Sequence, residues 1–125
     1  MSHGFNVIVA GSRDFDDYNL LSSTLDKLFY VKCPNAIVCG EAKGADSLGK
    51  QYAIERHIRV FSFPANWRRY GRNAGFIRNT EMLEHADCLV AFWDGKSKGT
   101  KHMIDISRKA GIEVHIVRFD KGEKT

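Results

Sequence analysis

The chain contains no apolar run near the ~20 residues that a membrane-spanning helix needs. It also lacks, at its start, a charged region followed by a greasy segment, so Met1-Ser2-His3-Gly4 does not read as a secretory signal. Three cysteines make an odd count, and no Cys-x-x-Cys pair occurs, which argues against a disulfide framework or a zinc knuckle. Neither Gly-x-Gly-x-x-Gly nor Gly-x4-Gly-Lys-Ser/Thr is present, so the usual dinucleotide fingerprint and the Walker A loop are both excluded. The five histidines (His3, His57, His85, His102, His115) show no paired ligand spacing, and no metal is expected. Internal repeats and low-complexity stretches are absent. A reducing cytoplasm is the expected compartment.

What remains is 125 residues with 43% apolar and 27% charged side chains, the profile of one globular domain spanning 1–125. Residues 120–125 read as a frayed polar tail. The net charge of +4 is modest but unevenly placed. Between Glu55 and Glu81 there is no acid and no Lys, yet there are six Arg: Arg56, Arg59, Arg68, Arg69, Arg72 and Arg78. Arg offers a planar fork of donors suited to phosphate or carboxylate. An anionic partner and a simply solvated surface are the two readings of that stretch.

Five short apolar runs, continuous rather than alternating, predict strands buried on both faces of a parallel sheet: Phe5–Ala10, Ala36–Cys39, Ile58–Phe63, Cys88–Phe92 and Ile112–Phe119. Helical spacing falls between them, over Tyr18–Tyr30, Asp46–His57, Ala74–His85 and Thr100–Ala110, the last stopped by Gly111. Alternating strands and helices predict a three-layer α/β/α sandwich of the Rossmann-like kind. The expected strand order is 3-2-1-4-5, with 2-1-3-4-5 as the alternative.

Ligands of such sheets bind beyond the carboxyl ends of the strands, where the order reverses. Three turns there are rich in Gly and polar groups. The first strand ends in Gly11-Ser12-Arg13, and an ordinary turn has no need of that Arg. The second ends in Gly40-Glu41-Ala42-Lys43-Gly44-Ala45-Asp46, which lets a ligand approach backbone N–H groups. Asp46 reads either as the cap of the next helix or as a partner for a sugar hydroxyl. The fourth strand ends in Asp94-Gly95-Lys96-Ser97-Lys98-Gly99-Thr100, an anion-binding nest opening a helix. The long connection from Pro64 to Gly75 brings Trp67 and Tyr70 among the Arg, either to stack on a base or to pack the loop or a dimer contact. Arg78-Asn79 follows one turn into the next helix. Glu41, Asp46 and Asp94 are the carboxylates placed for any acid–base step, Glu41 first, although a solvated loop charge explains it equally well.

Together Gly11-Ser12-Arg13, Gly40-x-Ala-x-Gly-Ala-Asp46, Ala65-x-Trp67, Gly71-x-x-Ala-Gly75, Arg78-Asn79, Ala86-Asp87 and the run from Ala91 to Gly99-Thr100 resemble the YspA/YpsA-related branch of the SLOG superfamily. The likeness runs from Val7 to about Val117. It implies a Rossmann-like fold that binds a nucleotide or nucleotide-derived ligand at these loops. The expectation is therefore a sensor or sequestering module that requires no cofactor, in a homodimer or higher homo-oligomer. The superfamily also includes the LOG phosphoribohydrolases and DprA/Smf, so N-glycosidic cleavage is the second expectation and single-stranded nucleic-acid binding the third. In LOG enzymes a catalytic Glu stands three residues after the loop Thr. Here that place is Met103, so the loop is similar and the Glu is missing.

Overall fold

A strand that is apolar on both sides is satisfied only between two covering layers. β1 (Asn6–Gly11), β2 (Ala36–Cys39) and β4 (Cys88–Trp93) are such strands, and they occupy the middle of the sheet. The computed structural model describes residues 5–120. Its five-stranded sheet has the order β3-β2-β1-β4-β5, with β3 (Arg59–Ser62) and β5 (Glu113–Arg118) at the edges. All four strand pairings are parallel. This is the α/β Rossmann-like arrangement with the 3-2-1-4-5 order.

Alternate residues of each central strand feed different layers. Val7 and Val9 meet Leu21 and Leu25 of α1 (Tyr18–Val31) and Tyr52 and Ala53 of α2 (Ala45–Glu55). Ile8 and Ala10 meet Met82 of α4 (Ala74–Leu83) and Met103 and Ile104 of α5 (Lys98–Ala110) on the other side. Gly111 ends α5 in the left-handed conformation, as its position implied. Among the described residues, no helix is long and apolar enough to cross a membrane.

Several element limits differ from the sequence expectation. β3 and β5 are shorter than their apolar runs because each is only as long as its neighbour. Arg59–Ser62 pairs with the four residues of β2, and Glu113–Arg118 with the six of β4. The second helix begins at Ala45 and stops at Glu55, before the left-handed His57. The fourth stops at Leu83, and the fifth starts at Lys98. The 64–75 connection is structured. Asn66 caps a one-turn helix α3 (Trp67–Tyr70), and a 3-10 turn over Gly71–Asn73 leads directly into α4. Of the expected tail, residues 121–125 lie outside the described residues.

α2 sits close upon β1, and Gly49 allows it. A Cβ on Gly49 would stand 2.7 Å from Val9 Cγ1 and 2.8 Å from Val9 Cβ. Val9 is buried, and its Cβ is anchored to the backbone, so it has nowhere to turn. Helix propensity favours Ala over Gly by roughly 0.5–1 kcal/mol, whereas overpacking costs about 1–3 kcal/mol. Gly49→Ala is therefore expected to lose about 1 kcal/mol in urea unfolding. A midpoint unchanged or raised would show that α2 can lift away from β1.

Candidate functional site

The carboxyl ends of β1, β2 and β4, together with the 64–79 segment, enclose a cleft of about 800 Å³. The turns that make its floor are tied together by Ser12, which is buried outside the lining rather than presented to a ligand. The Ser12 N–H donates to Phe92 O at 2.9 Å, and its Oγ accepts from the Asp94 N–H at 3.1 Å. Its carbonyl accepts from the N–H groups of Phe15 and Ala45. Ser12 thus joins three loops, and Arg13 beside it is exposed on the cleft wall.

The most polar part of the cleft lies where β2 meets α4. Arg78 Nη1 donates to the Gly40 carbonyl, and its Nε donates to Asn79 Oδ1 at 3.1 Å. A Cβ on Gly40 would stand 2.5 Å from Arg78 Nη1 and 2.9 Å from Asp46 Oδ2, so only Gly lets guanidinium and carboxylate converge there. Asp46 is 6% exposed and accepts from the Ala42 N–H at 3.2 Å. Burial pushes its carboxyl up to about 6, against the opposing pull of Arg78 and of the Ala42 and Gly40 N–H groups. The cap reading of Asp46 is corrected by this geometry. Gly44 holds the N-cap position of α2, and Asp46, inside the first turn, faces Arg78 and the Ala42 N–H instead.

Asn79 is also buried and ties α4 to α5. Its Nδ2 donates to Gly99 O at 3.2 Å and lies 3.1 Å from His102 Nδ1. The His102 ring stacks on Phe76 at 4.2 Å, and burial pushes its pKa down.

Two of the three candidate carboxylates are engaged elsewhere. Asp94 accepts from the N–H groups of Lys96 and Ser97, each at 2.8 Å. Burial raises its pKa, but these donors and the Ser12 hydroxyl outweigh that and hold it below the ordinary range. Glu41, in the left-handed region at φ 63°, pairs with Lys50 at 3.1 Å. The Ser62 hydroxyl, then Lys50, hold its carboxyl low.

Helix starts supply the remaining electrostatics. The N-cap positions of α2 and α5, Gly44 and Ser97, make no side-chain cap bond among the described residues, whereas α4 runs on from the 3-10 turn, its Ala74 N–H donating to Gly71 O. By contrast, Asp17 caps α1 and Asn66 caps α3. A helix N-terminus carries about half a positive charge and N–H groups without intrahelical partners, although the first of α2, that of Ala45, is already taken by the Ser12 carbonyl. The Ser97 hydroxyl is turned to Thr100 Oγ1 at 3.2 Å, and its carbonyl takes the Trp93 indole N–H at 3.1 Å.

Of the residues singled out in the sequence, Gly11, Arg13, Gly40, Glu41, Lys43, Asp46, Trp67, Arg78, Asn79, Ser97, Gly99 and Thr100 line the cleft. Ser12, Gly44, Ala45, Asp94, Gly95 and Lys98 do not. They shape the surrounding turns or face outward, as with Gly95 against the Arg118 guanidinium. The Arg-rich stretch does not gather whole at this edge. Arg56, at the far end of α2, pairs with Asp26 at 3.1 Å and covers the Tyr52 ring, while Arg72 and Arg78 reach the cleft. Arg72 and Gly75, from the Arg-rich connection, join the lining, and Phe76, Met82 and Met103 were missed as lining residues. Phe76 precedes Asn79 by three residues, one helical turn, and that spacing was the available signal.

The cleft is therefore a cationic hollow at the reversal point of a doubly wound sheet, and known proteins share its frame. The X-ray structure of DNA processing protein A (DprA) from Streptococcus pneumoniae superposes with a TM-score of 0.72 over 95% of this chain, at 14% identity. This chain spans 52% of that one, and the likeness is one of fold. Gene 61 protein of Mycobacterium phage D29 is 34% identical over 115 residues, which cover 86% of this chain and 92% of that protein. The sequence profile of the YspA, cpYpsA-related SLOG family, YAcAr, matches residues 5–70, the half that carries β1, β2 and the Gly40–Asp46 turn. The chain belongs to that family.

Proposed function

We propose that the cleft binds a nucleotide or a nucleotide-derived small molecule, and that the protein works as a sensor or sequestering module for it. One observation carries this reading: the N-termini of α2 and α5, neither with a side-chain cap bond, converge with Arg13 and Arg78 on one hollow. Free N–H groups at positive helix ends suit phosphate oxygens, and the two guanidiniums add charge-assisted donors. Trp67, 53% exposed on the wall, offers an aromatic face to a base. The hollow of about 800 Å³ falls within the range of small-ligand sites, roughly 300–1,000 Å³.

Denaturing the purified protein and identifying the released small molecule by mass spectrometry tests the reading directly. Arg13→Ala and Arg78→Ala are each expected to weaken its binding about tenfold or more, since a charged hydrogen bond contributes roughly 1.5–3 kcal/mol. Undiminished affinity in both variants would refute the site.

Asp46 gives a pH signature. Its carboxyl holds its proton to about 6 in the fold and to 3.8 when unexposed to the fold's burial. The raised pKa contributes stability that is fully present below 3.8 and is lost as pH rises through about 6. Ionising it thus costs on the order of 3 kcal/mol near neutrality, by ~1.4 kcal/mol per pKa unit. Asp46→Asn is expected to unfold at higher urea than the native chain at pH 7.5, with the gap closing by about pH 4. Equal midpoints at both pH values would remove the buried-carboxyl account.

A second reading, cleavage of an N-glycosidic bond, has one specific support. A cleft carboxyl that titrates near neutrality can exchange a proton with a leaving base. That shifts the acid–base candidate from Glu41 to Asp46, because Glu41 and Asp94 are engaged elsewhere. If this reading holds, Asp46→Asn binds nucleotide and fails to release free base and sugar phosphate. A native protein that returns every nucleotide intact would exclude it.

A further inference from the structure

A second group of chemically versatile side chains lies at the opposite edge of the sheet from the cleft. Cys88 opens β4 and Glu113 opens β5, and the two are register partners. His115 stands two residues further along β5, on the same strand face as Glu113. Sequence spacing hides this set because its members come from adjacent strands. The Cys88 thiol, a Glu113 carboxylate oxygen and a His115 ring nitrogen all lie within 4.8 Å of one another. Glu113 and His115 contact each other directly, and their side chains are 53% and 42% exposed, while Cys88 is fully buried.

Glu113 and His115 border a largely apolar hollow of about 520 Å³ between α1 and the sheet, walled also by Phe5, Leu28, Val31 and Val90, while the buried Cys88 lies outside its lining. On this face α1 and α2 cover β1 and β2, and the β4–β5 half is left open to that hollow. The group therefore has a buried sulfur at its base and an approach from one side.

We propose that Cys88, Glu113 and His115 form a binding site for one divalent transition-metal ion of borderline softness, zinc being the best match, with a fourth coordination position facing the hollow. A mixed sulfur, nitrogen and oxygen donor set suits such an ion and not magnesium or calcium, which prefer all-oxygen cages. Bond lengths of ~2.0–2.3 Å on a tetrahedral ion with one sulfur ligand separate its ligand atoms by roughly 3.3–3.7 Å. Donors already within 4.8 Å reach that spacing by small rotations of the two exposed side chains. Lys27 and Lys32 also line the hollow and oppose a cation, against which the Glu113 carboxylate brings a negative charge as one of the ligands. On binding, the ion takes the place of the thiol proton, which passes to solvent. It also clamps the edge strand β5 to β4, so occupancy and stability are coupled.

Cobalt(II) titration of the chelator-treated full chain tests this. The expected result is one cobalt per chain, tetrahedral visible bands, a thiolate-to-cobalt charge-transfer band in the near ultraviolet, and displacement by zinc. Zinc is also expected to raise the thermal midpoint by several degrees. Cys88→Ala and His115→Gln should each weaken binding at least tenfold, and Cys33→Ser, which removes the exposed thiol, should leave it unchanged. His115→Gln alters a half-exposed side chain and keeps the test valid if Cys88→Ala does not fold. Absence of the charge-transfer band, or equal binding by native protein and His115→Gln, would overturn the proposal. Neither readout depends on what the cleft binds.

Discussion

Every backbone and side-chain polar group of Ser12 is committed to a different part of the chain. Its N–H goes to Phe92 O, its hydroxyl accepts from Asp94, and its carbonyl receives the N–H groups of Phe15 and Ala45. Because Ser12 is buried, no water can replace a lost partner, and each unmade bond would cost about 1–3 kcal/mol. The turn after β1, the turn after β4 and the start of α2 are consequently held as one body. The remaining cleft residues depend on it: Arg13 follows Ser12 directly, and α5 begins four residues beyond Asp94. A floor fixed in advance spares an incoming ligand the ordering that would otherwise weaken binding.

Upon that floor the charges are arranged asymmetrically. Arg13, Lys43, Arg72 and Arg78 line the cleft, against Glu41 and Asp46. Glu41 is already neutralised by Lys50, so Asp46 is the acid that works against an anion. Its carboxylate lies beside the guanidinium of Arg78, which the Gly40 carbonyl and the Asn79 amide orient. When ionised, Asp46 competes with any anion for that guanidinium. A titration point of about 6 leaves this competition largely in force at neutral pH and relaxes it in mild acid.

The sheet order was legible because the continuous apolar runs marked central strands and the polar Gly-rich turns marked one edge. The lengths of β3 and β5 were not, since each is limited by its neighbour's residues rather than by its own apolar run. α3 escaped detection because a single turn capped by Asn66 is too short to show a period. Asp46 shows the limit most clearly. Beside Gly44-Ala45 at a helix start it has the local signature of a cap, and local signatures are all that a sequence displays. Its carboxyl turns back instead to the Ala42 N–H of the preceding loop, and Arg78, which lies near it, comes from a helix 32 positions later. Arg56 errs in the reverse direction. It is grouped with Arg78 by composition, and the run of α2 carries it to the other end of the sheet, where it meets Asp26.

The arrangement of carboxylates also bears on whether such a cleft does chemistry. The position three residues past Thr100 is Met103, a buried thioether on the cleft wall that can neither donate nor accept a proton. Asp94 is saturated by backbone N–H groups, and Glu41 by Lys50 and Ser62. Asp46 is left, buried and near Arg78, whose charge lowers its proton affinity. A phosphate oxygen bound to that guanidinium would offset this pull and, by bringing negative charge close, raise the carboxyl's proton affinity further. Binding and protonation of Asp46 are then one linked event. A receptor would use that linkage as a sensitivity to pH, and an enzyme would use it to arm an acid. The same two residues carry either outcome, and what separates them is whether the bound molecule presents a leaving group within reach of Asp46.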